Sequence, residues 1–165
     1  MADKRELIKL LKYLKIDFKD LKPDWDGTSY NYNFDNRLRI QKIVYIISEA
    51  TKQIRYNYTL YLRGPYSKSL AKDYFNISSE EWNENYGLPD STILGVVDFL
   101  NQKDNLWLEI GSTFIMMCSA GNGIKLSIER TYDFKADVLN ESRKDIAYVK
   151  EVVADLKNNN LFKCE

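Results

Sequence analysis

The residue types that most often do chemistry are scarce in this chain. There is no histidine, and the two cysteines, Cys118 and Cys164, stand far apart without a metal-ligand spacing. A missing imidazole removes the usual general base at neutral pH, the Ser-His-Asp and Cys-His arrangements, and the commonest metal ligand. Gly121-Asn122-Gly123 lacks the form, strand context and downstream acid of a dinucleotide site, and there is no Walker loop. Glu80 and Glu84, four residues apart, would share a helix face as a two-carboxylate pair, but beside Trp82 they read as an exposed first turn. The expectation is a non-enzymatic protein with no metal and no cofactor. Both cysteines are expected as free thiols, Cys118 as a small core residue in the run FIMMC and Cys164 exposed, in a cytoplasmic protein without a secretory segment.

Charge is the next resource, and it is unevenly placed. Lys and Arg number 24, as do Asp and Glu, so the formal net charge is zero and argues for neither nucleic acid nor membrane. Residues 37–72 nevertheless hold eight bases against one acid, Glu49, a balance of +7, and residues 73–109 hold eight acids against Lys103, a balance of −7. Bases interleaved with Tyr45, Tyr56, Tyr58, Tyr61 and Tyr66 can follow a phosphate backbone and stack on bases. Alternatively the two segments fold against each other and pair their charges, each surface pair contributing little. The phosphate-binding reading would use Arg37, Arg39, Arg55, Arg63 and Lys68, with residues 55–62 as the wing of a winged-helix-like arrangement.

The elements that must carry these side chains centre on residues 36–73. Leu38, Ile40, Ile43, Val44, Tyr45, Ile46 and Ile47 are uninterrupted by Gly or Pro and leave only narrow polar strips at Arg39/Lys42 and Gln41/Ser48. A helix apolar nearly all round belongs inside a domain, so residues 36–52 are expected as a buried central helix, capped by Asp35 or Asn36. Arg39, Gln41 and Lys42 either lay their stems across apolar neighbours or form a polar edge that meets a partner. Beyond it, Pro65 restricts Gly64 to extended or turn geometry, and Ser67 is placed to cap a helix over 68–75. Asp73 stands at that helix's unfavourable end, where it faces solvent or a basic partner.

The combination RLRIQKIVYII, then YNYTLYLRGPYS, then SLAKD resembles the YwgA-like proteins and, more distantly, the Panacea-domain antitoxins of the SocA type. Leu38, Gln41, Lys42, Val44, Tyr45, Tyr61, Gly64, Pro65, Tyr66, Ser67, Leu70 and Asp73 carry the resemblance. In the antitoxin branch it implies a helical domain that binds and neutralises a toxin or other protein. The expected partner is therefore a protein, a toxin or a regulatory factor, and the candidate partner-binding residues are Arg39, Gln41, Lys42, Arg63, Tyr66 and Ser67. Nucleic acid is the alternative partner.

The rest of the chain reads as helices around that centre. Residues 3–15 are an amphipathic helix with a lysine face; residues 20–35, with Pro23, Trp25 and Gly27, are a loop whose Thr28, Ser29, Asn31 and Asn33 suit recognition or turn chemistry. Tyr56, Tyr58, Leu60 and Leu62 alternate as in a strand, one arm of a hairpin or an extended connector. Short helices are expected from Ser78, from Asp90 or Ser91, and over 124–131, with a last helix over 142–157. The run 105–117 is ambiguous between strand and helix and is assigned as helix on the face Leu106, Ile110, Phe114, Met117. No stretch approaches the length of a membrane span. The fold class is thus mainly α, a single compact multi-helix domain over 1–165 around a buried central helix, with a short β hairpin or extended segment near 55–62.

Overall fold

A computed structural model of the chain describes residues 3–22 and 30–164, for 30–33 the backbone alone. The expected central helix is present as α2 (Tyr30–Thr51). It begins six residues before the expected start at 36, so Asp35 and Asn36 lie inside it. At that expected start the helix is tied to the preceding segment: Asn36 donates to the Asp20 carboxylate at 3.1 Å, and Arg37 donates to the carbonyls of Asp20 and Lys22, both at 3.3 Å. Asn31 and Asn33 therefore belong to a helix; Pro23, Trp25, Gly27, Thr28 and Ser29 fall outside the described residues.

Around α2 the chain winds α1 (Lys4–Tyr13), a 3-10 turn at Phe18–Leu21, the strands β1 (Thr59–Tyr61) and β2 (Gly64–Tyr66), and α3 (Lys68–Phe75). Then come α4 (Ser79–Asn83), α5 (Ser91–Asn101), α6 (Asn105–Ser119), α7 (Ile124–Phe134), α8 (Ala136–Glu141) and α9 (Ile146–Asn158). Local chemistry sets most of the starts. Ser67 accepts from the Leu70 amide, Asp90 from Thr92, and Ser78 and Glu81 form a reciprocal capping box. The last helix starts later than expected, at Ile146, because Asp145 is its cap, and α8 was not foreseen at all.

The ambiguous run is helical. Trp107 to Ile115 are all buried in α6, so α6 is a second central helix that packs against α2, α7, α9 and β2. Gly111 sits within this buried stretch, where a Cβ would meet Trp107, Val152 and Leu156 at ordinary contact distances of 3.4–3.6 Å. One continuous apolar core joins α1, α2, α3, α5, α6 and α9. At its far end Cys118, in α6, and Cys164 are disulfide-bonded, with Cα atoms 5.7 Å apart, which corrects the expectation of free thiols. Among the described residues, no helix is long and apolar enough to cross a membrane.

Candidate functional site: the clamped hairpin

The strand signal at 55–62 resolves into a tight antiparallel hairpin pairing Thr59 with Tyr66, Leu60 with Pro65 and Tyr61 with Gly64. The turn is Leu62-Arg63, and of the two geometries expected for Gly64 the extended one holds, since Gly64-Pro65-Tyr66 is the second strand. A two-residue connection makes Tyr61 and Gly64 the hydrogen-bonded closing pair. Pro65 then falls at the alternate position, where a strand has no N–H to offer its neighbour. Gly64 is required for two reasons: its φ is +96°, and a Cβ there would stand 2.9 Å from the Thr113 hydroxyl.

Buried polar groups hold this hairpin against α2 and α6. The Lys42 ammonium donates to the Pro65 carbonyl at 2.7 Å. Gln41 accepts from the Ser67 amide at 2.8 Å and donates to the Ser67 carbonyl at 3.0 Å, gripping the backbone where β2 becomes α3. Lys135, at the junction of α7 and α8, donates to the Leu62 carbonyl at 2.9 Å. Glu109 of α6 ties the two sides together, 2.8 Å from the Arg63 guanidinium and 3.2 Å from the Lys135 ammonium. Lys42, Glu109 and Lys135 are all buried. Burial strips water from the Lys42 ammonium and lowers its pKa to about 7, against the pull of Glu109 upward; Lys135 and Arg63 push it further down.

Three of the six expected partner-binding residues, Gln41, Lys42 and Ser67, therefore face inward. The polar strip of the central helix is an internal clamp, and its groups are matched to backbone. Arg39 is half-buried on Asn105 and the Asn101 carbonyl, Tyr66 is half-buried in edge-to-face contact with Tyr61, and Arg63 is exposed at the turn. The residues expected on phosphate do not make one positive surface either. Arg37 is 7% exposed and Arg39 is engaged as described, which leaves Arg55, Lys68 and part of Arg63 in solvent. The two oppositely charged segments meet, among the described residues, in the single ion pair Arg63–Glu109. Asp73, expected to face solvent or a base, accepts instead from the Tyr56 hydroxyl at 2.6 Å. Glu80 and Glu84 lie exposed on and just past the short α4. Glu109 and Lys135 were missed; a lone carboxylate within LWLEIGSTF is the signal that would have asked for a buried base.

What the clamp presents is apolar. Leu60 and Tyr61 are exposed on β1, and Leu62 at the turn is 87% exposed. Between the hairpin and the first half of α2 runs an open groove of about 560 Å³ walled by Phe34, Leu38, Tyr61, Leu62 and Tyr66. Among the described residues its charged lining is Lys42, Arg63 and Lys68, with no acid. On the side toward α7 and α8 a further cavity of about 420 Å³ adds Phe134 to Leu62, but includes Asp137 and Glu141. Among the described residues, no group of three Cys, Asp or Glu side chains is arranged to hold a metal ion. Compared with models of protein families, with curated proteins and with solved structures, the chain finds no significant match.

Proposed function

We propose that this chain is a non-enzymatic protein-interaction module, antitoxin-like or regulatory, that receives a polypeptide on the β1–β2 hairpin and the groove beside it. The observation that carries the reading is the pairing of an exposed Leu62 with a buried polar clamp beneath it. Burying charge seldom adds net stability over an apolar core, so a buried pair is better understood through the conformation that it specifies. Here the conformation specified is a short hairpin pressed against two helices, with an apolar tip held outward. An apolar surface fixed in place loses little conformational freedom on binding, which favours affinity. A contiguous exposed apolar patch is in general the mark of an interaction surface. The resemblance to antitoxins points to the same kind of partner. A cytoplasmic setting belongs to the proposal too, and there the Cys118–Cys164 bond would be open to reduction.

The test is site-specific photo-crosslinking in the native host, with a benzophenone amino acid placed at Leu62 and, separately, at the exposed Glu151 of α9. A discrete polypeptide adduct formed from position 62 and not from position 151 is the expected result. Equal adducts from both positions, or none from position 62, would remove the hairpin as a docking surface.

A further inference from the structure

We propose that the segment received in the hairpin groove is acidic, with Asp or Glu residues flanking apolar anchors, the anchors lying on Leu38, Tyr61 and Leu62 and the carboxylates on Arg63 and Lys68. This rests on the docking reading above and adds the chemistry of the partner. The walls of the groove are apolar, which calls for apolar anchors, while among the described residues every charged residue that lines it is basic. Beneath it Lys42, Arg63 and Lys135 surround one buried carboxylate, Glu109. Asp35, half exposed at the rim, stands 3.7 Å from Arg63, and Asp137 and Glu141 line the adjoining cavity on the side toward α7 and α8. Lys42, with its pKa near 7, adds little charge above neutral pH, and Glu109 and Asp35 offset Arg63 and Lys135. The groove's excess positive charge is thus carried by Lys68, beside low-dielectric walls that focus its field. Two of the bases are open to a newcomer. Lys68 is exposed at the first position of α3, and the Arg63 side chain is 46% exposed, with Nε and Nη2 on Glu109 and Nη1 3.7 Å from the half-exposed Asp35. An incoming carboxylate would compete with Asp35 for the outer side of the guanidinium, whereas a basic segment would be repelled by Lys68, so the charge selects partners as well as attracting them.

Random dodecapeptides displayed on phage and panned against the full chain, with parallel panning on Leu62→Asp and Lys68→Glu, test this directly. Both substitutions fall at exposed positions, and thermal melts of the variants check that the fold is kept. Expected are peptides enriched in Asp and Glu beside apolar residues, which lose at least about tenfold in affinity on Leu62→Asp. On Lys68→Glu they should lose about three- to tenfold, less at high salt. Neutral or basic peptides with the same dependence on Leu62 would overturn the acidic partner and leave the docking surface standing. If no selected peptide depends on Leu62, both readings fail. Self-association of the free chain that Leu62→Asp abolishes would give the groove to a second copy, and salt-sensitive duplex DNA binding lost on Lys68→Glu would give its charges to phosphate; either result overturns the proposal.

Discussion

Lys42→Met is the substitution that tests the clamp most sharply, because it should change how stability depends on pH. The Lys42 ammonium is 1% exposed and has a pKa near 7 in the folded chain, against an ordinary 10.5. Between those values the unfolded chain holds a proton that the folded chain has released. Unfolding therefore takes up a proton, and stability rises with pH across that window. Below pH 7 both states are protonated and the penalty of the buried charge is present in full. The expected slope is about 1.4 kcal/mol per pH unit at most, or roughly 2–3 kcal/mol between pH 7.5 and 9.5. Burial raises the phenol pKa values of Tyr45, Tyr56, Tyr58 and Tyr74, so stability falls again above about pH 10 as phenols ionise in the unfolded chain, and the comparison should stop short of that. Urea unfolding of wild type and Lys42→Met, without reductant, at pH 6.5, 7.5, 8.5 and 9.5 gives the two curves. Wild type should gain stability on the variant as pH rises. Parallel curves would show that Lys42 keeps an ordinary pKa and would refute the reasoning.

Three further expectations concern the same scaffold. Glu109→Ala leaves Arg63 and Lys135 without their buried partner and should lower stability by about 3–5 kcal/mol in urea unfolding, with faster amide exchange over 60–66; an effect under about 1 kcal/mol would mean that the pair is solvated. Gly64→Ala combines a left-handed φ with a contact to the Thr113 hydroxyl and should cost about 2–3 kcal/mol, whereas a change within error would place Gly64 in a different conformation. Reduction of the Cys118–Cys164 bond, which closes a separation of 46 residues, should lower stability by up to about 4 kcal/mol, read as a drop in Tm on adding reductant; an unchanged Tm would contradict the pairing.

The helical class was legible wherever local chemistry decides the structure. An apolar run without Gly or Pro marked α2, and side-chain caps at Ser67, Ser78 and Asp90 marked the starts of α3, α4 and α5. It was not legible where a distant partner decides. Asn36 and Arg37 of α2 are bonded to Asp20 and Lys22 of the preceding segment, and the Cys118–Cys164 bond has no local signature. The polar strip of α2 was legible, but not that it faces inward. A helical wheel shows Gln41 and Lys42 as a polar strip whether that strip faces solvent or a backbone it must satisfy, because the wheel carries no information about what lies opposite. Glu109 and Lys135 come together only through the packing of α6 beside α7. The exposed hairpin tip was hidden for a similar reason: Leu60 and Leu62 alternate like core residues of a strand, and only the register shows them outside.

The most direct test of the docking account is the dissociation constant of the polypeptide that crosslinks at position 62, measured for wild type and for Leu62→Asp, with Tm alongside. Burying a Leu of this exposure is worth about 2 kcal/mol. The account predicts a loss of roughly thirtyfold in affinity with an unchanged Tm. Equal affinity for the two chains would contradict it.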